Sequence, residues 1–192
     1  MSRFSGLVFA LVVLCASSAN AQAPCGDLDQ SCEPIIGPTF GHSMYCTPEE
    51  ELSSCLLQSF TPTMDYLCGV ELFFYPAAGT VTLFLQNSVV PGESVLAVAT
   101  QDVESGGDNW ISFDFGGVTI QPGATYYLHP VSHSNNGWAT ERRVEGGCEY
   151  PGGTAYSAGE EKPYDWLFRT YGTIGPVPTL SRSWGQVKSI YQ

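Results

Sequence analysis

Basic residues are scarce. Only 7 Lys and Arg stand against 19 Asp and Glu, giving 192 residues a formal net charge of −12. A chain this acidic has no basic surface with which to displace counterions from phosphates, which excludes nucleic acid as a partner. Adhesion to an anionic membrane surface is excluded on the same ground. Charged residues of both signs make up only 14% of the chain and hydrophobic ones 43%, so it is too apolar for a solvated acidic tail. No stretch of any length shows helical periodicity. There is no N-x-S/T sequon, so N-glycosylation is not expected. No C-x-x-C pair, no EF-hand spacing and no G-x-S-x-G occurs, and Gly41-His42-Ser43 continues as Met44-Tyr45. What is abundant is glycine (21), proline (13) and aromatics (12%), the mixture of a turn-rich β protein.

The N-terminus reads as a secretory signal peptide. Arg3 is the positive n-region, Leu7 to Cys15 the apolar h-region, and Ala19-Asn20-Ala21 fits an A-x-A cleavage site. The apolar core is too short to span a membrane comfortably, so no membrane insertion is expected after cleavage. Cleavage after Ala21 leaves 171 residues at a net charge of −13, with six cysteines: Cys25, Cys32, Cys46, Cys55, Cys68 and Cys148. An even number in an exported chain implies disulfides and a secreted, extracellular or periplasmic location. Six cysteines allow 15 pairings, and sequence alone does not choose among them. Spacing suggests Cys25 with Cys32, Cys46 with Cys55, and Cys68 with Cys148. The last, closing the longest loop, would stabilise most, by about 4 kcal/mol.

After residues 1–21 the chain divides into a cysteine-rich lead-in (22–55), a patterned body (56–172) and a tail (173–192). The body reads as short strands between turn signals. They are LLQSFTP from Leu56, YLCGVELFFY from Tyr66, TVTLFLQ from Thr80, SVLAVAT from Ser94, WISFDF from Trp110, GVTI, TYYLHPV from Thr125 and DWLFRTYG from Asp165. In the second, alternation places Cys68, Val70, Leu72 and Phe74 on a core face and Leu67, Gly69, Glu71 and Phe73 on the other. Val81, Leu83 and Leu85 point inward from the third. Trp110, Ser112 and Asp114 alternate with Ile111, Phe113 and Phe115. Pro76 with Gly79, Pro91-Gly92 and Pro122-Gly123 mark turns. The best helix candidate is Thr47 to Leu56, with Thr47 as N-cap, Pro48 at the first helical position and Glu50 closing a capping box. The expected fold is all-β, a disulfide-stabilised, jelly-roll-like β-sandwich of about eight antiparallel strands.

Few constellations carry chemistry. His129 and His133 lie four apart, but Tyr126 to Leu128 reads as strand and Pro130 is expected to break its ladder, so they read as strand-end and loop residues. Asp27, Asp29 and Glu33 offer oxygens for a structural calcium, the only cofactor the sequence suggests. The most informative stretch is His129 to Tyr156. It is rich in Gly and Asn, and it holds Trp138, Tyr150 and the pair Arg142-Arg143. Carbohydrate recognition takes an aromatic platform with planar polar groups beside it. Trp138, Asn135, Asn136, Arg142 and Tyr150 supply that set on what reads as a loop of a rigid scaffold. Against this, GWAT around Trp138 also reads as a further strand with the indole in the core.

The segments QSFTPT (Gln58 to Thr63), GVELFFY, PGATYYL (Pro122 to Leu128), YPGGTAY (Tyr150 to Tyr156) and DWLFRTYG together resemble secreted bacterial β-sandwich modules. These are the carbohydrate-binding-module and galactose-binding-like jelly rolls. The resemblance covers residues 56–172 and implies a module appended to exported proteins. Ligand residues in that class lie on variable loops, so none is carried over. The tail VPTLSRSWG (Val177 to Gly185) is similar to the PTLSEWG start of a bacterial C-terminal sorting signal. Here QVKSIYQ follows in place of a transmembrane helix and basic cluster. SWGQVKSIY also resembles a WG-x-x-K-x-x-Y tail of exported proteins. The expectation is therefore a secreted, non-catalytic module whose partner is a glycan. A structural or protein-interaction role at the cell surface is the alternative, and a small hydrolase a third reading.

Overall fold

The computed structural model describes residues 25–33, 39–43, 55–75, 78–106, 109–132, 136–141 and 150–175. Among them lie twelve strands: β1 (Asp27–Cys32), β2 (Thr39–Ser43), β3 (Leu56–Phe60), β4 (Tyr66–Tyr75), β5 (Gly79–Gln86), β6 (Val95–Val103), β7 (Asn109–Thr119), β8 (Tyr126–Ser132), β9 (Gly137–Glu141), β10 (Ala155–Ser157), β11 (Glu160–Glu161) and β12 (Phe168–Thr173). All pairings are antiparallel and form two six-stranded sheets.

The first sheet centres on β4. β12 and β7 pair with the same residues of β4, so they must lie on its opposite sides. β1 follows β12, while β9 takes the last two residues of β4 and carries β2 beyond it. The second sheet runs β11-β10-β3-β8-β5-β6. Counting only β1, β3, β4, β5, β6, β7, β8 and β12, the strand orders are 1-8-3-6 and 2-7-4-5. These are the two interlocked Greek keys of a jelly roll. The pairs β2–β9 and β10–β11 are additions to it.

Period-2 alternation decides which side chains enter the core. Val70, Leu72 and Phe74 of β4 meet Val81, Leu83 and Leu85 of β5 in one cluster with Phe60, Phe113, Leu128, Trp138, Trp166 and Phe168. Leu67 breaks the alternation and is also buried. A bulge sets Cys68 of β4 against three residues of β7, so Leu67 pairs with Val118 while Gly69 pairs with Asp114. The same bulge carries β7 through Gly116-Gly117, merging two expected strands into one. Both Pro-Gly turns form. Glu93 N–H donates to Val90 O at 3.1 Å and Ala124 N–H to Gln121 O at 3.1 Å, with Gly92 (φ 78°) and Gly123 (φ 79°) in the left-handed region such turns require.

Four expectations are corrected. The lead-in is not separate from the body, because its residues Asp27–Cys32 are β1, hydrogen-bonded to β12. Cys25 bonds to Cys68, which replaces both the Cys25–Cys32 and the Cys68–Cys148 pairing. It ties the start of β1 to β4, a strand it never pairs with. Cys32 and Cys55 are disulfide-bonded as well, while Cys46 and Cys148 lie outside the described residues. Pro130 does not end its strand. β8 continues past it to Ser132 on β5, while the pairing with β3 stops at Leu128. Leu56, the last residue of the helix candidate, lies in β3, and residues 47–54 of that candidate lie outside the described residues.

The candidate functional site

The loop expected to bind a glycan is anchored in the interior. Trp138 is fully buried, stacks on Trp166 with ring centroids 5.5 Å apart, and donates its indole N–H to Leu167 O at 2.9 Å. An indole with no exposed face cannot serve as a sugar platform, so that role is corrected to a core one. Asn136 is equally buried, and its amide donates to Ser132 Oγ at 3.0 Å. Tyr150 is buried edge-on to Phe168. Its hydroxyl donates to Gln30 Oε1 at 2.8 Å and accepts from the Thr61 N–H at 3.2 Å. Burial is also the main reason its pKa is raised. Asn135 and Arg142 lie outside the described residues.

The conspicuous motifs have structural work. In YPGGTAY, a Cβ on Gly153 would collide with the Ser59 carbonyl. The bare glycine lets Thr154 exchange hydrogen bonds with Ser59, whose N–H donates to Thr154 O at 3.0 Å and whose Oγ accepts from Thr154 N at 2.7 Å. Thr61 Oγ donates to Gly152 O at 2.8 Å. YPGGTAY and QSFTPT are thus two halves of one lock. Buried Gln58 completes it, donating to Asp165 Oδ1 at 2.9 Å and accepting from Trp166 N at 2.8 Å.

The acidic residues near the N-terminus do not converge on a cation. Both Asp29 oxygens accept the Thr63 N–H at 3.1 Å, and Oδ1 also accepts the Thr63 hydroxyl at 2.5 Å. Glu33 instead pairs with Arg169. Among the described residues no group of three or more His, Cys, Asp or Glu side chains could hold a metal. His129 sits inside β8 rather than at its end, buried against Phe84 at 5.8 Å between rings, with neither ring nitrogen hydrogen-bonded. Desolvation lowers its pKa to about 4. His133 lies outside the described residues.

Polar and aromatic chemistry meets instead on the outer face of the β7–β4–β12–β1 sheet. Directly paired residues share a face. One row across it is therefore Ser112, Glu71, Arg169 and Ser31, and the next is Asp114, Gly69, Tyr171 and Leu28. Phe73 and Trp110 form a row on the other side. Arg169 organises the face. Its Nε and Nη2 donate to the two Glu33 oxygens at 2.9 and 3.0 Å, and Nη1 donates to Glu71 Oε2 at 3.2 Å. Its guanidinium lies 4.0 Å above the Trp110 ring, reaching across β4, while Phe73 meets that indole edge-on at 5.2 Å. Glu71 also accepts from the Tyr171 hydroxyl at 2.6 Å and from Ser112 Oγ at 3.1 Å. The hydrogen bond to Glu33 is the largest influence holding Arg169 in its charged form. Burial first, then the bond to Glu71, push the Tyr171 phenol up to about 12.

Two carboxylates (Glu33, Glu71) thus hold one guanidinium over a half-buried indole, with Asp114 in the next row. All but Glu33 stand on strands, and Glu33 follows β1 directly. Such a face can accept and donate hydrogen bonds to a polyhydroxylated ligand beside an aromatic surface. The alternations of GVELFFY and WISFDF already place Glu71 with Phe73 and Trp110 with Ser112 and Asp114. Sequence reading missed the site because nothing local says that β7, β4 and β12 are neighbours. Among the described residues no helix is long and apolar enough to cross a membrane. No protein-family model matches the chain, and no curated protein matches it.

Proposed function

We propose that the chain is an exported, non-catalytic module that binds a glycan on the outer face of the β7–β4–β12–β1 sheet. The observation that carries this is the stack of Arg169 on Trp110, ringed by Glu33, Glu71, Tyr171 and Ser112. The carboxylates keep lone pairs that can accept from vicinal hydroxyls, the Arg169 fork being held by Glu33, and the indole surface that Arg169 leaves open is apolar area a sugar ring can pack on. The disulfide suits an oxidising compartment. Export itself rests on the leader read in residues 1–21, and N-terminal sequencing of the secreted protein should begin at Gln22.

The test is a glycan array with an insoluble-polysaccharide pull-down, using disulfide-intact protein. Selective retention that is lost in a folded Trp110→Ala variant supports the reading. Retention unaffected by Trp110→Ala and Glu71→Gln places the ligand elsewhere, and no retention on any polysaccharide overturns it. The second reading, a protein-interaction component of the cell surface, is favoured by the exposed apolar edge of β6. For the tail (residues 173–192) read as a sorting or docking segment, removing it should change where the protein accumulates; because Thr173 belongs to β12, the deletion is best made from residue 176.

A further inference from the structure

Tyr171 of β12 and Asp114 of β7 flank Gly69 of β4 from either side, both within the unbroken part of their registers. Gly69 has no side chain to fill the outer face between them, yet it is buried. The Tyr171 ring accounts for this. Its hydroxyl donates to Glu71 Oε2 at 2.6 Å, and Glu71 is the next residue of β4 on that face. A phenol that starts beside Gly69 and ends at Glu71 lies along the sheet, over the bare backbone. It is half-buried, with one face toward the sheet and the other toward solvent. The Trp110 indole is less open, because Arg169 covers one face at 4.0 Å and Phe73 meets its edge. Three carboxylates (Glu33, Glu71, Asp114) and one guanidinium (Arg169) give this face a net charge of −2. The guanidinium is committed to Glu33 and Glu71. Asp114 is exposed, its Oδ1 accepting the Gly116 N–H at 2.7 Å. Among the described residues the other Lys or Arg is Lys162, which follows β11 of the second sheet and pairs with Glu160.

We propose that the solvent face of Tyr171 is where one sugar ring of the glycan stacks, and that this glycan is uncharged. The proposal rests on the glycan reading and names the stacking surface and the ligand class within it. A pyranose carries C–H groups on its faces and hydroxyls around its edge. The phenol face takes the C–H groups. The Asp114 carboxylate, across Gly69 from the ring, accepts from the hydroxyls. The bond to Glu71 holds the ring down before any ligand arrives, so stacking loses little side-chain freedom. Gly69 belongs to the same arrangement, since a side chain there would lift the ring off the sheet. A uronate or sulfate on the ligand would meet Asp114 and Glu71, with the nearby guanidinium already neutralised by its own partners. A neutral sugar meets no such repulsion.

The experiment measures affinity, with disulfide-intact protein at neutral pH, for neutral gluco-, manno- and galacto-oligosaccharides and for their uronate counterparts. Neutral oligosaccharides should bind, and each uronate counterpart should bind about tenfold or more weakly. Tyr171→Ala should weaken neutral binding about tenfold or more, whereas Tyr171→Phe, which keeps the ring, should stay within about threefold. In the parent protein, nuclear Overhauser effects should join the Tyr171 ring protons to sugar ring protons. That readout holds even if Tyr171→Ala folds poorly. Uronates that bind as tightly as neutral sugars overturn the proposal. So does neutral binding that survives in a folded Tyr171→Ala variant, or a bound sugar with no contact to Tyr171. Each of these leaves the glycan reading standing where Trp110→Ala abolishes binding. No binding of any oligosaccharide overturns that reading and this proposal together.

Discussion

Trp138 and Trp166 stack in the core with centroids 5.5 Å apart and planes 25° apart. One leads β9 and the other precedes β12, and the chain between them includes the long connection after β9. Leu167 joins them further, since its N–H donates to Ala139 O at 2.9 Å and its carbonyl accepts the Trp138 indole N–H. Both indoles belong to the main buried cluster, with Phe74, Phe113 and Phe168.

Trp138→Ala should act as a core truncation. It empties a fully buried indole volume and removes a hydrogen bond, at a cost of about 3–5 kcal/mol. Urea denaturation measures this. Any loss of glycan retention in this variant would follow unfolding, whereas Trp110→Ala, at a half-buried position, should keep most of the stability.

The Cys25–Cys68 bond spans 43 residues of sequence. In the chain-entropy model its absence in a Cys25→Ser/Cys68→Ser double variant costs about 4 kcal/mol. Thermal unfolding of the two oxidised proteins should show a large drop. Equal midpoints would mean that the packing of β1 on β12 holds this corner unaided.

His129 should make the fold acid-sensitive. Its pKa falls from 6.5 to about 4 on folding, so between those values the unfolded chain binds a proton that the folded chain refuses. Stability from this group is therefore full above pH 6.5, falls with pH, and is gone below about 4. The span corresponds to about 3 kcal/mol. His129→Leu should lose correspondingly less stability than the parent between pH 7 and pH 4. Parallel pH profiles would contradict this.

At the alkaline end the sign reverses for Tyr171. Its phenol titrates near 12 rather than 10, so its stabilising contribution holds below pH 10 and disappears as pH rises through about 12. Phenolate absorbance should show a late step that Tyr171→Phe removes.

Arg169→Lys should disturb the outer face without unfolding it. An ammonium cannot form the bidentate bond to Glu33 or lie flat on Trp110. The partners are partly exposed, so the cost should be only about 1 kcal/mol. A shift in tryptophan emission, with circular dichroism unchanged, is the expected signature.

Much of the fold was legible from local pattern. The strands at Leu56, Tyr66, Thr80, Ser94, Trp110, Thr125 and Asp165 and the two Pro-Gly turns follow from alternation and turn chemistry. Both act over a few residues. β1 escaped notice because DLDQSC has a single aliphatic residue, Leu28, and that residue is exposed. Its strand character comes from pairing with β12 at the other end of the chain. The loop site was misjudged because an indole in a Gly- and Asn-rich stretch has the same local sequence whether it faces solvent or packs on a second indole.

By itself, then, the sequence determined the sheet class, the inward set Val70, Leu72, Phe74, Val81, Leu83 and Leu85, and a charge that leaves few binding partners. These depend on a two-residue period and on composition, which need no knowledge of neighbours. Only the tertiary structure decided that Cys25 meets Cys68, that Trp138 is core, and that Glu71, Trp110, Arg169 and Glu33 form one face. Those are contacts between residues up to 136 apart. Strand order is settled by the burial of the whole core at once, and no single segment carries a record of it.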